Sequence, residues 1–144
     1  MSESGNLNIS ISDFLRLIED IAVAHGFEVS REVYVEGLSL YNHRFDALLQ
    51  KSSLKILVDL PQGVFEFLAS LAKRVDVLEY KFLTVVHEGT LTKILPELEE
   101  HKNKTALEEQ SIVIYRGVED LREKLEIYFK NLATETPPET SQPL

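Results

Sequence analysis

Two aspartates thirteen positions apart, Asp46 and Asp59, are the residues of this chain whose type and spacing best suit chemistry. They lie in "HRFDALLQKSSLKILVDLPQ", His43 to Gln62, which reads as two short apolar strands joined by a polar turn. A hard divalent cation such as magnesium takes oxygen ligands, often one or two carboxylates completed by water and substrate phosphates. Pairing the strands around Gln50-Lys51-Ser52-Ser53 sets Asp46 opposite Leu57 and Asp59 opposite Arg44. One face then carries Arg44, Asp46, Leu48, Lys55, Leu57 and Asp59. The other carries Phe45, Ala47, Leu49, Leu54, Ile56, Val58 and Leu60, and being wholly apolar it is assigned to the core. The two aspartates become diagonal neighbours, roughly 7–8 Å apart at the backbone, within reach of one shared cation. In the same register a cross-strand Arg44–Asp59 ion pair accounts for Asp59 without any metal. Both readings stand.

Other candidate groups carry less. His25, His43, His87 and His101 include no pair with the i, i+4 spacing of a helical zinc site. His43 falls by parity on the strand face opposite Asp46 and is not expected to join it. His25 and His87 end elements and read as structural. The six glycines form no phosphate loop, and no serine sits in a nucleophile elbow. "AKRVD", Ala72 to Asp76, with Lys55 could form a small basic patch. "PELEEHKNKTALEE" reads as a solvated helix face or a partner surface.

The elements that must position these residues follow from periodicity. Ser10 to His25 is helical, with Ile11, Phe14, Leu15, Ile18, Ile21 and Ala22 on one stripe and Gly26 as the stop. Phe27 to Glu36 alternates as a strand with one wet face. Leu40–Gln50 and Ser53–Leu60 are the two strands that carry the aspartates. Val64 to Leu78 is a helix with Phe65, Leu68, Leu71, Ala72 and Val75 on one face. Lys81–His87 and Ser111–Tyr115 are buried strands, a helix starts at Pro96, and Val118–Leu132 is the last helix. Residues 1–9 read as a flexible N-terminus, 10–132 as one domain, and 133–144, rich in Pro, Thr and Glu, as a disordered tail. The order implies an α/β fold with a mixed sheet covered by helices on both faces.

Composition narrows the function classes. The 144 residues suit a single domain with its own core. The absence of cysteine excludes disulfides, thiolate catalysis and cysteine-ligated metal clusters. A net charge of −9 disfavours generic nucleic-acid binding, which draws its affinity from phosphate neutralisation. No apolar run approaches a membrane span and "MSESGNLNIS" has no signal-peptide pattern, so a cytoplasmic protein without membrane contact is expected.

The element order αβββαβ, an aspartate on the second strand and an acid at the end of the third resemble the PD-(D/E)XK nuclease superfamily of restriction endonucleases and Holliday-junction resolvases. The resemblance is carried by "LIEDIAVAHGFEVSREVYVEG" and "HRFDALLQKSSLKILVDL" and covers roughly residues 10 to 90. It implies a restriction-endonuclease-like core. It also implies magnesium or manganese held by Asp46, Asp59 and a first-helix acid. Glu19 and Asp20 are the candidates for that acid, since Leu15 stands where it is expected. The family's lysine, two positions after the second acid, is Pro61 here; Lys55 and Lys73 are candidates for a displaced one. With that position lost, the resemblance implies a catalytically degenerate protein with no cofactor. It would act as a binding or assembly module, contacting DNA through a local basic patch, a protein partner, or a second copy of itself. The alternatives are an active Mg/Mn-dependent nuclease with a displaced lysine, and a protein-binding adaptor with no nucleic-acid role.

Overall fold

A computed structural model describes residues 11–96 and 101–135, without the side chains of residues 101–104 and 134–135. The expected flexible N-terminus, residues 97–100 of the expected Pro96 helix and residues 136–144 of the expected tail lie outside the described residues; Pro96 itself lies in a turn, and the backbone of residues 133–135 continues the last helix. The elements are α1 (Ile11–Ala24), β1 (Glu28–Glu36), β2 (Asn42–Lys51), β3 (Leu54–Asp59), α2 (Val64–Asp76), β4 (Lys81–His87), α3 (Glu88–Leu91), α4 (His101–Glu109), β5 (Ile112–Tyr115) and α5 (Val118–Glu135). The strands form one sheet in sequence order. Its first three strands are antiparallel, and β3, β4 and β5 run parallel. The α/β class and the mixed, helix-flanked sheet are as the sequence implied. No described helix is long and apolar enough to cross a membrane.

α1 and α5 cover the sheet with the stripes their periodicity supplies. Ile18 and Ile21 of α1 and Leu121, Leu125 and Phe129 of α5 pack on Ala47, Leu49, Ile56, Val58, Leu83 and Val85. The opposite sheet face is covered by Phe67 of α2 and Leu91 of α3, over Val86, Ile112 and Ile114, with Leu107 of α4 packed alongside. β4 and β5 are therefore buried on both faces, which is why they read as continuous apolar runs. The chain leaves α1 through Gly26, whose φ of +94° only glycine adopts without strain, while the amides of Gly26 and Phe27 bond back to Val23 and Ala22.

The β2–β3 register differs from the one expected by two residues. Lys51 pairs with Leu54 and Leu48 with Leu57, so the turn is Ser52-Ser53, with Ser52 at φ +54°. A shift of two keeps every side chain on its face but changes its opposite number. Carried one step past the last ladder pair, Ala47 with Val58, this register sets Asp46 against Asp59. It removes Arg44 from that place.

A second difference is the path of the β1–β2 ribbon. Phe45 does not join the face of Ala47 and Leu49; it packs with Leu57 and Val77 on the α2 side, together with Val33 and Val35. Both strands exchange faces at Glu32 and Asp46, which lie between the pairs Arg31–Ala47 and Val33–Phe45. Glu32 has a φ of +54°, and this left-handed residue supplies the local twist.

The third difference concerns α2. The stripe of Phe65, Leu68 and Val75 points away from the sheet, with 87%, 46% and 77% of those residues exposed. The helix turns Phe67 and Ser70 inward instead.

Gly26→Ala is expected to lower stability by about 1–2 kcal/mol, because a Cβ there meets both the positive φ and the Lys51 side chain at 3.2 Å. Urea unfolding measures it, and an unchanged midpoint would remove the left-handed stop from this account.

Candidate functional site

A cleft of about 720 Å³ opens between the β1–β2 ribbon, the end of β3 and α2, and Asp46, Asp59, His43, Arg44 and Lys73 line it. The sheet supplies the two carboxylates. Asp59 is the last residue of β3 and is 7% exposed. Asp46 lies where the ribbon exchanges faces. The helix supplies the cation: Lys73 reaches from α2 to place Nζ 3.1 Å from Asp59 Oδ2. Ser70, one turn earlier on α2, donates its hydroxyl to the same oxygen at 2.9 Å.

Asp46 has its own partners. Its Oδ2 accepts the Leu60 amide at 2.7 Å, and its Oδ1 accepts Arg44 Nη1 at 2.9 Å. The expected Arg44–Asp59 pair therefore does not form. Arg44 sits two residues from Asp46 on the same strand, and the shifted register takes it away from Asp59. Its second carboxylate is Glu32, at 3.6 Å.

Of the other candidates, Glu19 lies outside the cleft and binds Arg31 with both oxygens, at 2.7 and 2.9 Å. Asp20 is exposed, and Leu15 is buried in the core. Of the two candidate lysines, Lys73 lines the cleft and Lys55 lies outside it, its Nζ 5.9 Å from the Tyr80 ring. His43 does line the cleft, contrary to the parity argument, because the face exchange brings it to the α2 side. Its Nε2 is 2.7 Å from Asp76 Oδ2. Asp76 also accepts the Ser39 amide at 2.9 Å and its hydroxyl at 2.7 Å, fastening the β1–β2 turn to the end of α2. His25 pairs with Glu126 at 2.8 Å, and His87 accepts the Gly89 amide at the start of α3. The side chain of His101 is outside the described residues.

A buried polar chain links the site to the sheet interior, and the sequence reading missed it. From Asp59 it runs through Ser70 to Thr84, 3.1 Å between hydroxyls, and from Thr84 to Arg74 Nη2 at 2.9 Å. Arg74 also donates to the carbonyls of Gln110 and Ser111, which ties α2 to the start of β5. The signal was present: Ser70, Lys73 and Arg74 share the inward side of a helix whose apolar stripe lies elsewhere. Both cations of "AKRVD" are thus engaged by groups of the protein, Lys73 at the cleft and Arg74 behind it.

The electrostatics follow from this geometry. Burial pushes the Asp59 carboxyl above the ordinary range, while Lys73 and the Ser70 hydroxyl pull it back and the nearby Asp46 charge adds to the rise. The bonds from Ser39, then the one from His43, hold Asp76 below that range.

A divalent ion in the cleft would compete with cations of the protein for both aspartates. Among the described residues no group of three or more His, Asp or Glu could hold a metal. Both oxygens of Asp46 are engaged, and an ion on Asp59 would sit beside Lys73. Two unit charges 4 Å apart interact by about 4 kcal/mol at an effective dielectric of 20, and a divalent ion doubles this.

No family model and no curated protein matches the chain. Among solved structures it is similar to the crystal structure of a protein of unknown function, AF1548, at 17% identity and a TM-score of 0.45 over 75% of this chain. The chain spans 60% of that protein.

Lys73→Met should destabilise the protein by about 3 kcal/mol by stranding Asp59. The Asp59 pKa is already raised in the folded state, and losing Lys73 raises it further. The penalty is therefore largest at neutral pH and shrinks as pH falls through that value; a deficit independent of pH would contradict the pairing. Asp76 works in the opposite sense. Its lowered pKa contributes stability above the unfolded value of about 4, which is lost as pH falls through the folded one. Asp76→Asn should flatten that part of the acid unfolding curve, and a curve parallel to wild type counts against it.

Proposed function

We propose that this chain is a nuclease-fold module, restriction-endonuclease-like in its core, that has lost catalysis and acts by binding and assembly. The observation that carries the reading is that both aspartates of the cleft are already compensated by a cation of the protein. Arg44 bonds Asp46 at 2.9 Å and Lys73 lies 3.1 Å from Asp59. An ion that displaced Lys73 would leave an ammonium stranded in a half-buried position. Pro61, at the place of the family's lysine, offers no proton to exchange. General-base assistance is worth about 10²–10⁴-fold, so its loss together with the metal would leave little turnover.

One observation favours a competing reading, an active nuclease. Lys73 approaches the second acid from the helix, where a displaced lysine could act. The acidic balance favours a third, an adaptor with no nucleic-acid role.

Labelled linear and branched DNA, incubated at low salt with magnesium and then manganese, separates the three. Retention without cleavage, equal in wild type and Asp46→Ala, is the expected result. Cleavage that disappears in Asp46→Ala overturns the proposal in favour of the enzyme. Neither retention nor cleavage leaves assembly as the role and removes DNA from it.

A further inference from the structure

The outward stripe of α2 is larger than a solvated helix face needs. Phe65, Leu68, Ala72 and Val75 recur with the a/d spacing of a heptad; Phe65 and Val75 are strongly exposed and Leu68 nearly half exposed. The core side of the same helix is already filled by Phe67, Ser70 and Arg74, so among the described residues nothing covers the stripe. Leu38, also exposed, extends the stripe at its C-terminal end, where its amide bonds the Asp76 carbonyl at 2.9 Å.

We propose that this stripe is the interface of a homodimer in which two copies of α2 pack antiparallel across a two-fold axis. The proposal names the partner for the assembly reading and rests on that reading for its purpose. The sequence is self-complementary in this direction only. A dyad level with Ser70 sets Phe65 against Val75 of the second copy and Leu68 against its Ala72. Every layer then joins a larger side chain to a smaller one, as close packing of facing positions requires. A parallel pairing would set Phe65 on Phe65 and Ala72 on Ala72, crowding one layer and leaving another empty.

The area fits a reversible dimer. The exposed apolar side chains of α2 with Leu38 and Leu78 offer on the order of 500 Å² per copy, against about 800 Å² for a standard interface. Gln62 and Glu66, both exposed, would supply a polar rim. Phe65, as the largest and most exposed of these groups, would be the anchor.

Sedimentation equilibrium of the full chain should show a concentration-dependent rise from 16.4 kDa toward twice that mass. Leu68→Glu should abolish the rise while the variant keeps a folded far-UV spectrum and a cooperative melt at dilutions where the wild type is monomeric. The chain has no cysteine, so mild oxidation reports the register. A mixture of Leu68→Cys and Ala72→Cys proteins should cross-link, whereas either alone should not. A wild type that stays monomeric, or a Leu68→Glu protein that still dimerises, overturns the interface. Cross-linking of either single variant overturns the antiparallel register. Because mass is read without DNA or metal, a monomer with intact DNA retention would sink this interface and spare the binding role, whereas metal-dependent cleavage would do the reverse.

Discussion

A carboxylate at the end of a buried strand has to be compensated, and much of this molecule is arranged around Asp59. Nearly all of its surface is removed from water. Lys73 and Ser70, one turn apart on α2, meet the resulting charge and hydrogen-bond demand. That requirement fixes which side of α2 turns inward. Once Ser70 and Lys73 face Asp59, Arg74 is carried toward Thr84 and the carbonyls before β5, and polar contacts pin the helix to β3, β4 and the turn before β5. Buried ion pairs seldom add net stability over apolar packing, but they penalise every arrangement that breaks them. The pair therefore acts on specificity more than on energy. It explains why a helix with a ready apolar stripe presents that stripe to solvent.

The twist of the β1–β2 ribbon is the second constraint. With Glu32 in a left-handed conformation, alternate residues before and after it serve different layers: Val29 packs with the α1–α5 core and Val33 with the α2 side. The exchange places Asp46 at a point where its carboxylate reaches past Asp59 to the Leu60 amide, closing the end of the β3 ladder. It also brings His43 and Phe45 beneath α2, where Phe45 lies 4.5 Å under the Lys73 ammonium. The cleft is the space left between a twisted ribbon and a helix held by polar contacts at Asp59 and Asp76.

The element boundaries were legible in the sequence because periods of 3.6 and 2 are written directly in the apolar positions. α1, β1, β4 and α5 match to within three residues. Register was less legible. Ser52-Ser53 is a two-residue turn without the Asn-Gly or Gly signals that mark such turns, so its position between the strands is not announced. The face exchange was not legible at all, since nothing about a glutamate announces a positive φ. For α2 the sequence showed the stripe but not its direction, because helical periodicity separates two faces without saying what each will meet. Asp46 and Asp59 were legible as neighbours. Their partners were not, since Lys73 and Ser70 come from a helix whose docking no local pattern encodes.

The mutual dependence of Asp59 and Lys73 bears on how the chain can drift. Neither residue can be replaced alone without stranding the other in a poorly hydrated place, so the two should change together or persist together across relatives. Asp46 is held for a different reason, as the acceptor that terminates a strand. Divergence under these constraints would preserve an acid, an acid and a lysine around a cleft, the pattern ordinarily taken as a mark of catalysis. In this fold the same pattern would arise from stability alone, and retention of the three residues would say nothing about turnover.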